Sequence, residues 1–302
     1  MPASPWWPAF VQRTLLNVKV VYMYQGVRYI ENDEFTGVEL ACNRKIIAQL
    51  YLRGNGIEIG ALHKPLQVPG DTCNVQYVDY KTLEENRARY PELAEETIVN
   101  TDIIDDGFIL EKMAPASQDF IIANHALEHS PDPYGTLLNW LDKLKSDGII
   151  YAAIPMADKC YDKGRPVTSL QHMLDDHEQF SSVDKKAILQ VTRDHVMEFI
   201  RISGQNIREM NNLEPASEDK QQQICNDLIK GLEQAFEKAQ SYAELISAHV
   251  HHINKKYDVH YHTFTPRSYE AFLRHFTGHN ESALENVVKN GNGECIGIIR
   301  KY

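Results

Sequence analysis

Gly56-Ile57-Glu58-Ile59-Gly60 is a short apolar run that carries one carboxylate and stops at a glycine. Such a run, bounded by turn residues, reads as a buried strand. Asn74-Val-Gln-Tyr-Val-Asp79 is a second run, and its closing aspartate stands twenty-one residues after Glu58. Further runs follow at 97–102, 119–124 and 148–154. Asp119-Phe-Ile-Ile-Ala-Asn124 is apolar on both faces, as a central parallel strand should be. A helix is expected at about 134–145, before the fifth run. Strands alternating with helical segments imply a parallel sheet with right-handed crossovers. Two runs at 284–290 and 294–300 flank Gly291-Asn292-Gly293, the signal of an antiparallel hairpin. The expected fold is therefore α/β and Rossmann-like: five parallel strands plus a C-terminal antiparallel hairpin.

Between the fifth strand and the hairpin lies a long polar insertion with helical periodicity around 184–211 and 218–256. Ile224, Leu228, Leu232, Ala235, Phe236, Ala239, Tyr242 and Leu245 recur at spacings of three or four, and Asn211-Asn-Leu-Glu-Pro215 breaks the pattern. An insertion at the carboxyl end of a parallel strand sits beside the ligand crevice, so it reads as a lid. Upstream, Trp6, Trp7, Phe10, Tyr22, Tyr24 and Tyr29 mark an aromatic segment whose end, 38–51, reads as a helix. The resulting division is 1–50, a helical arm or cover; 51–155, a cofactor-binding half; 156–262, the helical lid; and 263–302, a helix and hairpin that complete the sheet.

The 302 residues carry a formal net charge of −11. That balance weighs against nucleic acid, whose phosphates demand a basic surface. No apolar run is long enough to span a membrane, and the start has neither a basic nor an apolar signal region. Five cysteines lie far apart without a CxxC pair, which argues against a zinc ribbon and for reduced, cytoplasmic thiols.

The acidic residues at strand ends carry the ligand reading. Asp79 is spaced to accept from both hydroxyls of a ribose. Nicotinamide and flavin cofactors share that layout, but Ala61-Leu-His-Lys-Pro65 leaves little room for a helix N-terminus to hold a pyrophosphate, and Glu58 repels one. S-adenosylmethionine has no phosphate and carries sulfonium and ammonium cations, so it suits this turn better. Asp102 with Ile103 is expected at the adenine; Asn124 and His125 are expected beside the methionine part.

Asn124-His-Ala-Leu-Glu-His129-Ser-Pro-Asp-Pro133 resembles a stretch of small-molecule class I methyltransferases of the broad type 11 group. Gly56 to Pro65, Arg165 to His172 and His260 to Pro266 look like a subgroup associated with bacterial glycan biosynthesis. The resemblance covers about 54–180 and 258–300. It implies S-adenosylmethionine as cofactor, held by Glu58, Gly60, Asp79, Asp102 and Asn124, with Ala61, Ile103 and His125 beside them. Leu62 and Lys64 replace the second and third glycines of the general pattern.

His125-Ala-Leu-Glu-His129 also spells the zinc-protease HxxEH, which is rejected because the strand end and Pro131 leave no helix to hold it. Methylation of a hydroxyl needs a base, and histidine suits that work. The candidates are His129, His172, His260 and His262. His260 and His262 share a side if Tyr261 is in a strand, and Thr265-Pro266 is a good start for the helix that follows. His172 with Asp175, Asp176 and His177 has the residue types of a divalent-metal site, although a catalytic metal is not favoured. The reading is a methyltransferase acting on a small-molecule or sugar hydroxyl, with a homodimer open. The alternatives are an N-methyltransferase, disfavoured because no Asn/Asp-Pro-Pro-aromatic motif follows the fourth strand, and a non-catalytic cofactor-binding scaffold.

Overall fold

The computed structural model describes residues 21–24, 27–30, 38–40, 44–291 and 293–302. Trp6, Trp7 and Phe10 of the expected arm lie outside the described residues. Strands β1 (Val21–Tyr24), β2 (Val27–Ile30) and β3 (Val38–Leu40) precede helix α1 (Arg44–Tyr51). The alternating core follows as β4 (Gly54–Ile59), β5 (Cys73–Asp79), α2 (Leu83–Arg89), β6 (Ile103–Ile104), β7 (Gln118–Asn124), α3 (Pro133–Lys143) and β8 (Leu144–Pro155). Five insertion helices come next: α4 (Leu170–Ser182), α5 (Lys185–Arg201), α6 (Ser203–Met210), α7 (Glu218–Phe236) and α8 (Tyr242–His249). Helix α9 (Pro266–His279) and strands β9 (Ser282–Asn290) and β10 (Glu294–Lys301) end the chain.

The strands form one mixed sheet in the spatial order β1-β2-β3-β9-β10-β8-β7-β4-β5-β6. Strands β6, β5, β4, β7 and β8 are mutually parallel, and β10 runs antiparallel to both β8 and β9. Chain order reverses between β4 and β7, so their carboxyl ends open the crevice where ligands bind in such sheets.

Strand β7 shows why the sheet is two-sided. Phe120 and Ile122 join a core cluster with Ile47, Leu52 and Leu66; Ile121 and Ala123 join the opposite one with Leu137 and Trp140. A strand alternates its side chains with period two, so a strand buried on both faces must be apolar throughout. Gly56 lets β4 lie close to β7: a Cβ there would meet the Phe120 carbonyl oxygen at 2.3 Å.

Three expectations need correction. The third strand is only Ile103–Ile104, and residues 97–102 are irregular apart from a bend. Asp102 spends its carboxylate on the Tyr77 N–H (2.8 Å), which fastens the approach to β6 instead of ending a strand. Residues 38–40 are strand, with the helix starting only at Arg44, and the described residues 21–24 and 27–30 before them pair as antiparallel strands. Strand β3 pairs in parallel with β9 and so covers backbone groups that an edge strand would leave open. The insertion holds five α-helices where two long helical stretches are expected. Ser169, Asp184, Ser217 and Ser241 each accept a backbone N–H at a helix start, dividing the apolar periodicity into shorter rods. Val183 adopts a left-handed φ of 57° and ends α4.

Candidate active site

The carboxyl ends of β4, β5 and β7 and the insertion enclose a cavity of about 440 Å³. Gly60 opens it. Its φ of +62° turns the chain out of β4, and an added Cβ would meet nothing within 4 Å. No helix forms before β5, in keeping with Pro65 and Pro69. Asp79, at the end of β5, lines the cavity; it accepts the Lys81 N–H and the Asn86 Nδ2–H, each at 3.0 Å. A carboxylate has about four acceptor positions, so Asp79 keeps capacity for a ligand. Burial raises its pKa, against the pull of those donors.

Glu58 and Asn124 do not line the cavity. They face each other behind it. Both Glu58 oxygens accept the Leu66 N–H at 3.0 Å, and Oε1 also accepts from Asn124 Nδ2 at 3.0 Å. Glu58 thus clamps the glycine turn to β7. Burial pushes its pKa from the ordinary 4.5 to about 7, despite the donors and the nearby Arg44. An acid whose folded pKa is raised contributes stability that is complete below its unfolded pKa and is lost as pH rises through the folded value. Wild-type stability should therefore fall by up to about 3 kcal/mol more than that of Glu58→Gln between pH 4 and 8 (roughly 1.4 kcal/mol per pKa unit). Denaturant titration of both proteins across that range checks this, and parallel pH profiles would refute it.

Asp102, Ile103 and Ala61 also stay out of the cavity wall. Its corner beyond β6 is lined by Asp106, Gly107 and Phe108 instead. The displacement follows from the late start of β6, which moves the strand end to Ile104. The motif Asn124 to Pro133 divides in the same way between cavity and frame. His125 has a left-handed φ of 54° and reaches Glu294 Oε2 on β10 at 2.9 Å. Burial alone would lower its pKa, but the Glu294 hydrogen bond and the Glu128 charge outweigh it and raise it. Arg44 pairs with the same Glu294, tying α1 to this rim. Residues 127–129 form a single 3-10 turn, too short for the rejected protease motif. Asp132 is structural: its carboxylate accepts from Gly135 N, Tyr242 Oη and His177 Nδ1 at 2.8, 3.0 and 2.9 Å, fastening α3, α8 and α4 together.

Glu128 is the most exceptional wall residue. It is 1 % exposed, and neither carboxylate oxygen has a hydrogen-bond partner. Burial raises its pKa, opposed by His260 and His125. His260 Nε2 lies 4.0 Å from Glu128 Oε1 and 2.5 Å from the Tyr161 hydroxyl. The other His260 nitrogen, Nδ1, lies 2.5 Å from Asp162 Oδ2. Asp162 is in turn held by Arg165 Nη1 at 2.9 Å and Ser203 Oγ at 2.6 Å. Burial would raise the Asp162 pKa, yet His260, Arg165 and Ser203 hold it well below the carboxylate range. The result is a buried carboxylate that fixes one ring nitrogen while the other meets the Tyr161 hydroxyl at the cavity wall. That is the arrangement that orients a general base.

His129 also lines the cavity, with Nδ1 bound to the Val259 carbonyl at 3.0 Å. Burial, reinforced by His260, pushes its pKa down to about 3, far below the working range of a base. His172 and His262 are elsewhere, against Asp176 and His195. The premise that His260 and His262 share a strand face fails because 258–263 is not a strand. Arg165 takes the carbonyls of both His260 (2.8 Å) and Tyr261 (3.3 Å), and the two rings go to separate clusters. Sequence reasoning missed Glu128, although it sits inside the quoted motif, and it missed Tyr161, Asp162 and Arg165. A charged pair three residues apart gives no sign in sequence of being buried. Among the described residues, three sets of atoms have metal-ligand spacing: Glu128, His129 and His260 on the wall; Cys160, Asp162 and His260 at and behind it; and, away from the cavity, His172, Asp176 and His195.

No family model and no curated protein matches this chain. Among solved structures, it is similar to a CurJ carbon methyltransferase at 10% identity and a TM-score of 0.36, over 82% of this chain and 49% of the other. The chain thus spans about half the length of that protein. A Zn-dependent alcohol dehydrogenase from Rhodobacter sphaeroides is similar at 11% identity and a TM-score of 0.42, over 85% and 87% of the chains. Phosphoethanolamine N-methyltransferase 1 of Haemonchus contortus reaches 23% identity but a TM-score of 0.27, over 35% of this chain and 23% of that one. Methyltransferases and a dehydrogenase stand side by side in this set, and at these scores the likeness assigns no activity.

Proposed function

We propose that the chain is an S-adenosylmethionine-dependent methyltransferase acting on a hydroxyl of a small molecule or sugar, with His260 as the general base. The observation that carries the reading is the cavity itself. In one space it combines Asp79 at the end of the second parallel strand, the Glu128 carboxylate that accepts no hydrogen bond, and a histidine backed by a buried aspartate. Asp79, Asp106, Glu128 and Asp258 line it against Lys81 and Lys159, so a cationic ligand suits it better than a pyrophosphate. The residues present fit the cofactor on this ground: an orphaned buried carboxylate demands a donor or a cation.

S-adenosylmethionine, when bound, supplies a methyl group on a sulfonium. Asp79 would accept from the ribose hydroxyls. Phe108 and Ile59 give apolar surface for a flat ring, and Glu128 would take a ligand donor. His260 Nε2 takes the proton that the acceptor hydroxyl releases, directly or through Tyr161, while Asp162 holds Nδ1–H and stabilises the imidazolium. Tyr161, Val250, Asn254, Asp258 and His260 reach the cavity from the insertion, which supports its reading as the acceptor-side cover.

Asp79→Ala should weaken S-adenosylhomocysteine binding by roughly 1.5–3 kcal/mol, the worth of hydrogen bonds to a charged group. Calorimetry on folded wild-type and variant protein measures it. Unchanged affinity would remove Asp79 from the cofactor site. Tight NAD binding by the wild type, without S-adenosylhomocysteine binding, would overturn the class.

A further inference from the structure

A second cluster of ionisable side chains lies outside the cavity. His172 and Asp176 are four residues apart on α4, and residues at that spacing share a helix face. His195 on α5 and His262, in the segment before α9, turn toward the same point. Asp176 Oδ2 lies 2.9 Å from His195 Nε2, 3.3 Å from His172 Nε2 and 3.8 Å from His262 Nε2. His172 Nε2 and His195 Nε2 are 3.2 Å apart. Three imidazole nitrogens aimed at one carboxylate oxygen exceed what a hydrogen-bond network needs. Nitrogens and oxygens that surround a zinc ion at 2.0–2.1 Å in a tetrahedron stand about 3.3 Å from one another. The three spacings among His172, Asp176 and His195 (2.9, 3.2 and 3.3 Å) lie close to that value.

His262 supplies the independent observation. It is 1 % exposed, and neither ring nitrogen reaches full hydrogen-bond geometry, the Pro131 backbone making only a marginal contact. A buried imidazole normally finds a partner for at least one nitrogen. Here Nε2 faces the Asp176 carboxylate at 3.8 Å, too long for a hydrogen bond, which leaves that carboxylate free to serve His172 and His195. Asp176 and His195 are buried too, whereas the His172 side chain is 52 % exposed and leaves a way in from solvent.

We infer that His172, Asp176 and His195 form a binding site for one divalent transition-metal ion of the zinc class, with His262 packed beside it. Imidazole ligands with a single carboxylate suit such an ion, and neither magnesium nor calcium favours so many nitrogens. The ligands come from α4 and α5, and His262 from the segment that carries His260 two residues earlier. The ion would tie α4 to α5 beside the strap that delivers the candidate base, a structural duty separate from methyl transfer. The inference stands whether or not the cavity binds S-adenosylmethionine.

The test is titration of the full chain, stripped with a chelator, with Co²⁺ and then Zn²⁺. Visible absorption and thermal unfolding are the readouts. One equivalent of Co²⁺ should bind with the intense bands of a tetrahedral site and be displaced by Zn²⁺, and Zn²⁺ should raise Tm. His195→Ala and Asp176→Asn should abolish the bands. His172→Ala, at a half-exposed position that the fold tolerates, should weaken binding at least tenfold. Glu128→Gln, in the cavity, should leave binding intact. Folded wild-type protein that takes up no Co²⁺ would overturn the site. So would binding that is lost in Glu128→Gln and kept in His172→Ala, which would move the ion to the cavity.

Discussion

His260→Ala should lower turnover on a hydroxyl acceptor by roughly a hundredfold to ten-thousandfold, the usual contribution of general-base catalysis. Affinity for S-adenosylhomocysteine should stay nearly the same. The distinction matters because His260 meets the cavity from the insertion side, while Asp79 and Gly60 meet it from the strand ends. Asp162→Asn should reproduce much of the loss. An amide in that place can donate to Nδ1, which would force the proton onto Nε2 and remove the lone pair the acceptor needs. Steady-state kinetics on an acceptor that the wild type methylates, together with calorimetry, reads both effects. Full turnover in His260→Ala would take the histidine out of the chemistry and leave the cavity as a binding site with another base, or none.

Arg165→Ala should destabilise the fold by about 3–5 kcal/mol, the cost of removing one partner from a buried ion pair. The Arg165 side chain is fully buried, and its guanidinium meets Asp162 Oδ1 at 2.9 Å, Glu198 Oε1 at 3.0 Å and the carbonyls of His260 and Tyr261. Without it Asp162 is a buried charge with less to hold it, and two carbonyls lose a donor. Arg165→Lys should recover only part of the loss, since an ammonium cannot reproduce the planar fork. Denaturant unfolding measures the difference, and Asp162→Asn in the Arg165→Ala background should restore some stability by removing the orphaned charge. A loss under 1 kcal/mol would show that water reaches this site and solvates the aspartate.

The sheet core was legible in the sequence to the extent that burial alone decides it. Residues 120–123 are apolar at every position because both faces of β7 are covered there, while Asp119 and Asn124 stand at its ends. Gly291 and Gly293 marked the turn that joins β9 to β10. Thr265 and Pro266 marked the start of α9: the threonine accepts from Ser268 N, and the proline occupies the first turn. These signals are local. The third strand was misread for the same reason, since Ile98 and Val99 are as apolar as Ile103 and Ile104, and only pairing with β5 selects the second pair.

The site divides along that line. Sequence by itself determined the alternation of strands and helices from β4 to β8, the glycine turn without a following helix, and the acid at the end of β5 that reaches the cavity. Each depends on a residue's neighbours along the chain. Only the tertiary structure decided that Glu58 is a clamp on Leu66 and Asn124, that Glu128 faces His125 and His260 without a hydrogen bond, and that His260 and His262 serve different clusters. The physical reason is separation. Asp162 and His260 are 98 residues apart in the chain and 2.5 Å apart in space. Burial strips water from such pairs, so the partner that folding brings, rather than the residue type, sets what each charge can do.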